Sequence, residues 1–288
     1  MTKNFSMLTQ EEKNNIIQMF YDGKSKDEII KEANVTRRTY PAVFKEAGIN
    51  TKRRNKYTLN EDYFEKIDSQ EKAYLLGLIA SDGCVTEKNY FALASTDIEV
   101  LELLKKELKY TGDIYIPKRK ENENWNTAYR INFSSKKICK DLAKYGVIPN
   151  KTFCFDKIPN IKPIYYRHFI RGYFDGDGCI YSYDNNKRYI FEIMCTESLA
   201  TELGNIFYEN IGEFGFIQKT NSIGLKTLAF YKISSLKKIY DMLYTDATCF
   251  IERKYDKYNK FMGSLRSKYL SEKWDEPEYY RVCDQQIC

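Results

Sequence analysis

The sequence predicts an α+β fold: two αββαββα halves related by pseudo-twofold symmetry, each with an antiparallel four-stranded sheet, preceded by a small all-α module. Three observations predict it. A nonapeptide recurs, as Leu75-Leu-Gly-Leu-Ile-Ala-Ser-Asp-Gly83 and Ile170-Arg-Gly-Tyr-Phe-Asp-Gly-Asp-Gly178, with Gly77 and Gly172, and Asp82 and Asp177, each 95 residues apart. Alternating apolar stretches follow both copies in the same order. Ahead of them stand three short helical segments, the first two with capping signals. The implied divisions are a helical module at 1–50, a basic linker at 51–71, halves at 72–150 and 151–262, and a tail at 263–288.

In the N-terminal module, Thr9 with Glu12 and Ser25 with Glu28 have capping-box spacing, in which each side chain satisfies an orphan backbone N–H. Ile16, Ile17, Met19 and Phe20 give the first helix its apolar side, and Asp22-Gly23 stops it. Ile29, Ile30 and Ala33 do the same for the second, and Asn34-Val35 turns the chain. A third helix runs from Thr36 or Thr39 to Ala47, with Pro41 required to lie in its first turn. The stretch from Gly23 to Arg37 resembles the helix-turn-helix of resolvase-type and transposase-type DNA-binding domains.

In each half a helix ends in Asp-Gly. Two strands, a helix, two strands and a helix follow. Strands are expected near 84–87, 90–95, 113–119 and 127–133, then 179–183, 188–195, 214–220 and 226–233. Phe91-Ala-Leu-Ala-Ser-Thr-Asp matches Phe191-Glu-Ile-Met-Cys-Thr-Glu, and Ile131-Asn-Phe-Ser-Ser-Lys-Lys-Ile resembles Lys232-Ile-Ser-Ser-Leu-Lys-Lys-Ile with one residue inserted. Asp184-Asn-Asn-Lys187 is a hairpin signal. Thr96 and Thr196 have the position of N-caps for the helices that follow. Gly77 with Ser81 and Gly172 with Gly176 put small residues four apart, so the two motif helices can pack closely through Gly77 and Gly172. Gly83 and Gly178 would permit a left-handed exit after each aspartate.

Composition narrows the chemistry. Of 288 residues 43% are hydrophobic, enough for a sizeable core. His168 is the single histidine, which excludes sites built on two histidines within the chain; its place on the second motif helix reads as structural. The eight cysteines form no CxxC pair, so no zinc finger or dithiol motif is signalled. With no signal peptide and no apolar run of membrane length, the expected setting is cytoplasmic and reducing, neither secreted nor in a membrane. Residues 1–60 hold 12 Lys/Arg against 7 Asp/Glu, leaving only one net positive charge of the total +6 for the other 228 residues. The basic excess is therefore N-terminal and suits nucleic acid.

Two carboxylates at adjacent helix ends, without histidine or thiolate, form a hard-oxygen site that favours Mg2+. The paired nonapeptides resemble the signature of LAGLIDADG homing endonucleases, over about residues 72–262. The first copy has Ala80 where the second keeps Asp175. The resemblance implies a site-specific double-strand DNA endonuclease of intron-homing type, a monomer with an internal pseudo-dimer on a long duplex target. Asp82 and Asp177 would be catalytic and, with Ser81 and Gly176, hold the metal. A basic residue from each half would assist them: Lys136 and Lys237, with Lys137, Lys238 and Lys232 as rivals. The sheets would form a DNA-binding saddle read by Lys118, Arg119, Lys120 and Arg130 in one half and Lys187, Arg188, Lys219 and Lys226 in the other. Arg37, Arg38, Lys52, Arg53 and Arg54 would add phosphate contacts. The rival reading is a non-catalytic sequence-specific DNA-binding protein, regulator or maturase, on the same scaffold; retention of both aspartates favours the enzyme.

Overall fold

The computed structural model describes residues 2–22, 24–49, 57–116, 128–183, 188–222 and 224–269. The chain forms two compact units, Met1–Thr58 and Leu59–Cys288.

The first unit holds helices α1 (Gln10–Tyr21), α2 (Lys26–Glu32) and α3 (Thr39–Glu46). Both capping boxes are made. Ile16, Met19, Ile29, Val35, Tyr40, Val43 and Phe44 form its core, with Phe20 edge-on to Phe44 at 5.0 Å. Asn34 takes φ 50°, the left-handed turn that ends α2. Pro41 is the third residue of α3, where its missing N–H has no helical partner to lose. Arg37 and Arg38 are exposed just ahead of α3, and Arg37 pairs with Asp27 at 3.4 Å.

The second unit is the duplicated α+β body. Its first half runs α4 (Gln70–Asp82), β1 (Gly83–Val85), β2 (Tyr90–Ser95), α5 (Ile98–Glu107), β3 (Tyr129–Ser134) and α6 (Lys136–Lys144). The second runs α7 (Tyr166–Asp177), β4 (Gly178–Tyr183), β5 (Arg188–Cys195), α8 (Glu197–Ile211), β6 (Phe216–Lys219), β7 (Lys226–Phe230) and α9 (Ile233–Tyr244). A further helix, α10 (Glu252–Tyr269), had no counterpart in the sequence pattern and crosses the expected start of the tail. Both sheets are antiparallel, with orders β1-β2-β3 and β4-β5-β7-β6. The second has its four strands. In the first, among the described residues, the strand expected at 113–119 is a single bridge in which Tyr115 and Arg130 exchange both backbone bonds; 117–119 lie outside the described residues. Within the stretch read as linker, Tyr63, Phe64 and Ile67 are buried.

The ladders also correct the repeat alignment. Gly83 opposes Leu93 and Gly178 opposes Ile193, while Phe91 opposes Phe133 and Phe191 opposes Phe230. Phe133 and Phe230 are thus equivalent, 97 apart, whereas the shared Ser-Ser-Lys-Lys letters had matched Lys137 to Lys238 at 101. The letters slip by about one helical turn, a shift that a helix tolerates because it keeps the same face inward. No described helix is long and apolar enough to cross a membrane.

Candidate active site

Helices α4 and α7 pack at a distance that forbids side chains where they cross. A Cβ on Gly77 would lie 2.0 Å from the Phe169 carbonyl oxygen and 2.8 Å from the Tyr173 nitrogen; one on Gly172 would lie 1.9 Å from the Tyr74 oxygen and 2.9 Å from the Leu78 nitrogen. Tyr74 and Phe169, and Leu78 and Tyr173, stand 95 apart, so the two contacts are images of each other. The pseudo-twofold relation is therefore present at atomic detail. Further along, a Cβ on Gly176 would meet the Ser81 Oγ at 1.9 Å and the Asp82 Oδ2 at 3.1 Å. Positions 81 and 176 face each other, and only one carries a side chain. The Ser81 hydroxyl turns back to donate to the Leu78 carbonyl at 2.9 Å.

This packing delivers Asp82 and Asp177 to the same end of the helix pair. Both side chains reach solvent, yet the surrounding protein is dense enough to act on them. Loss of solvation raises the Asp82 carboxyl, against the pull of Lys254, Lys151 and Arg253. Asp177 is pushed up to about 6, first by loss of solvation and then by the Asp82 charge. A carboxylate at a helix C-terminus also faces the negative end of the dipole, so cations are favoured there.

Two buried lysines supply them. Lys151 donates to the Ser81 carbonyl at 2.7 Å. Lys254 donates to the carbonyls of Phe174 at 2.6 Å, Asp175 at 2.7 Å and Gly178 at 2.7 Å. Lys254 thus closes the C-terminal end of α7, where the Phe174 carbonyl also accepts from the Gly178 N–H. Burial holds Lys151 below the ordinary lysine range, with Asp177 and Asp82 pulling the other way. Burial brings Lys254 down to about 8, opposed by Asp175. Each motif helix thus ends in a carboxylate with a buried lysine beside it.

The structure brings Lys151 and Lys254, and not the expected Lys136 and Lys237, to the ends of the motif helices. Lys136 is exposed on the first turn of α6, and Lys237 pairs with Asp241 at 2.9 Å. The rivals are engaged elsewhere too: Lys137 with Asp62, Glu65 and Asp141, Lys232 with Glu213, Lys238 with the Ile211 carbonyl. The signal that could have found these two lysines is the basic residue that follows α6 and α9, in Asn150-Lys151 and Arg253-Lys254.

The glycines after the aspartates are not left-handed. Gly83 (φ −73°) and Gly178 (φ −93°) are extended, because the chain passes straight from helix into strand. They are glycine for space: a Cβ would meet the Ile79 oxygen at 2.6 Å in one and the Phe174 ring at 2.1 Å in the other. Thr196 caps α8 through the Leu199 N–H, but α5 is preceded by Asp97, whose N–H donates to Ser95, so Thr96 is not its cap. His168 is buried, with Nδ1 3.1 Å from Arg171 Nη1, and burial followed by the Arg171 charge lowers it to about 4.

Of the cations expected on the sheet faces, four lie among the described residues. Arg130 does lie on the outward side of β3, opposite Ala94. Lys226 shares the side of β7 that carries Leu228 and Phe230 to the core, and it pairs with Glu197 at 3.4 Å; Lys219, its cross-strand partner, lies on the same side. Arg188 starts β5. Lys118, Arg119, Lys120, Lys187, Lys52, Arg53 and Arg54 lie outside the described residues.

Among the described residues no group of three or more His, Cys, Asp or Glu is gathered in a way that could hold a metal ion. Oxygen donors are nonetheless present: two carboxylates and the helix-end carbonyls of Ser81 and Gly176. The mutual repulsion of Asp82 and Asp177 is the electrostatic condition that a hard divalent cation relieves.

Residues 69–145 match the family model described as LAGLIDADG-like domain. No curated protein matches the chain. Solved structures similar to it include the meganuclease I-SmaMI bound to uncleavable DNA with a TTCT central four (15% identity, 68% of this chain and 90% of that chain, TM-score 0.44). The same meganuclease with a TTGT central four gives 16%, 72%, 93% and 0.47. The I-LtrWI LAGLIDADG homing endonuclease bound to target DNA gives 16%, 74%, 92% and 0.44. The match to the LAGLIDADG-like domain model thus spans the first motif helix, with Gly77 and Asp82, and the first sheet that follows it.

Proposed function

We propose that the chain is a site-specific endonuclease that hydrolyses one phosphodiester bond in each strand of a long duplex DNA target, working as a monomer with an internal pseudo-dimer. The observation that carries this is the paired helix end: Asp82 and Asp177 side by side, each half adding a buried lysine, in a body whose first half is a LAGLIDADG-like domain.

Asp82 and Asp177, with the backbone oxygen of Gly176, would hold Mg2+, while that of Ser81 accepts from Lys151. A cation held there would supply Lewis acidity, which activates water and stabilises the leaving oxygen. Lys151 and Lys254 keep positive charge beside the carboxylates, which counters their repulsion and attracts the phosphate. Asp177 is charged above about pH 6 and Lys254 protonated below about pH 8, so the free site has both charges between those limits. Arg130, the hairpin cations and the N-terminal unit would contact the duplex, the latter as a helix-turn-helix led by Arg37 and Arg38.

The test is digestion of a randomised duplex library with Mg2+, with and without a chelator, by wild type, Asp82→Asn and Asp177→Asn. Site-specific double-strand cutting that the chelator abolishes, and that each substitution lowers by about 100-fold or more, is expected. Sequence-specific binding without cutting would establish the regulator reading in its place. Cutting unaffected by either substitution would refute the site.

A further inference from the structure

The two lysines are held in different ways. Behind Lys254 lies a buried polar cluster with no equivalent in the first half. Asp175, 1% exposed, accepts from the Tyr74 hydroxyl at 2.8 Å, the Tyr244 hydroxyl at 3.2 Å and the Ile251 N–H at 2.8 Å. Arg171, fully buried, donates to the carbonyls of Leu243 at 2.7 Å and Cys249 at 2.8 Å, and its guanidinium lies 5.4 Å from the centre of the Tyr74 ring. These bonds fix the ends of the connection from α9 to α10, and Lys254 follows three residues after Ile251. At the equivalent positions, 95 earlier, the first half has Leu76 for Arg171, Ala80 for Asp175 and Ala73 for His168.

Resting on the endonuclease reading above, we propose that Arg171 and Asp175 are positioning residues for Lys254 alone, so that the chemistry of one DNA strand depends on this cluster and that of the other does not. A carbonyl, an N–H and a second carbonyl, at residues 243, 251 and 249, are tied to α7 by Arg171 and Asp175, whose other partners are the side chains of Tyr74, His168, Tyr244 and Cys249. Charged groups that deep persist only when every hydrogen-bonding site is used. The backbone they bond leads to Lys254, whose ammonium then falls on two carbonyls of the helix they belong to and on that of Gly178 just after it. Lys151 sits in a 3-10 turn, Lys151–Phe153, and reaches Ser81 without such a cluster among the described residues.

The experiment replaces the cluster with what the first half carries. Arg171→Leu with Asp175→Ala in one protein, and the milder Asp175→Asn, are compared with wild type on supercoiled plasmid bearing the selected target, with the two strands end-labelled separately. One strand should be cut at least ~10-fold more slowly and the other within ~2-fold of wild type, so that nicked circles accumulate; tenfold corresponds to about 1.4 kcal/mol at the barrier. Asp175→Asn, which keeps an oxygen acceptor, should recover part of the lost rate. A second readout needs no cleavage. Amine labelling with acetic anhydride, read by mass spectrometry, should be slow at Lys254 in wild type and rise at least ~10-fold in the double variant, with Lys151 unchanged. Equal slowing of both strands, or a Lys254 that labels no faster, overturns the inference and leaves the endonuclease reading standing. A wild type that labels as expected but cuts no site defeats that reading, and with it the strand assignment made here.

Discussion

The two halves of the duplicated body are near-copies at the face where α4 meets α7 and unlike behind it. At the face, Gly77 and Gly172 make mirrored contacts to the same atoms of equivalent residues, and each helix ends in an aspartate. Behind, the first half buries Leu76 and Ala80 where the second buries Arg171 and Asp175. The difference teaches that the pseudo-twofold is enforced only where backbone touches backbone. A Cβ at the crossing has nowhere to go, while a cavity a few ångströms away can be filled by apolar or by polar groups provided the polar ones are satisfied.

The sharpest way to break that symmetry is Gly172→Ala. Its Cβ would stand 1.9 Å from the Tyr74 carbonyl oxygen, and backbone cannot step aside cheaply. We expect a loss of at least about 3 kcal/mol in a urea titration, and the same from Gly77→Ala. Next is Gly176→Ser, which would place a second side chain against the Ser81 Oγ. It should cost about 1–3 kcal/mol alone and be largely rescued when combined with Ser81→Gly, a coupling that a double-mutant cycle measures. Ser69 caps α4 by accepting from the Lys72 N–H at 3.2 Å, whereas α7 starts at Tyr165 without a side-chain cap. Ser69→Ala should therefore cost about 1 kcal/mol, seen as faster amide exchange in the first turn of α4.

The smallest effect concerns the aspartates. Between about 4 and about 6 the folded state holds a proton on Asp177 that the unfolded chain has released, so stability falls as pH rises through that window. Asp177→Asn should remove that fall, raising the melting temperature above pH 6 relative to wild type and not below pH 4. The gain should stay under about 1 kcal/mol because the carboxylate is solvent-exposed.

Local rules made much of this legible. The capping boxes of α1 and α2, the 95-residue spacing and the alternation of β3 each need only neighbours in sequence, and each is where it was expected. What escaped was set by distant partners. Lys151 and Lys254 matter because they reach carbonyls 70 and 76 to 80 residues away, and nothing in their own neighbourhood says so. Lys226 looked like an outward strand residue, but the register with β5 puts it on the side of Leu228. The glycines after the aspartates were read through φ, and the constraint proved to be room.

One consequence of the facing pair at 81 and 176 concerns what a sequence can become. Two identical chains meeting on a true twofold axis would carry the same residue at both places. Serine in both would put one hydroxyl where the other stands, so such an assembly is confined to glycine. With both copies in one chain, each position can drift separately, and a serine opposite a glycine becomes admissible. Its hydroxyl on one helix marks the axis as approximate and gives the two sides of the cleft a chemical difference at the carboxylates themselves.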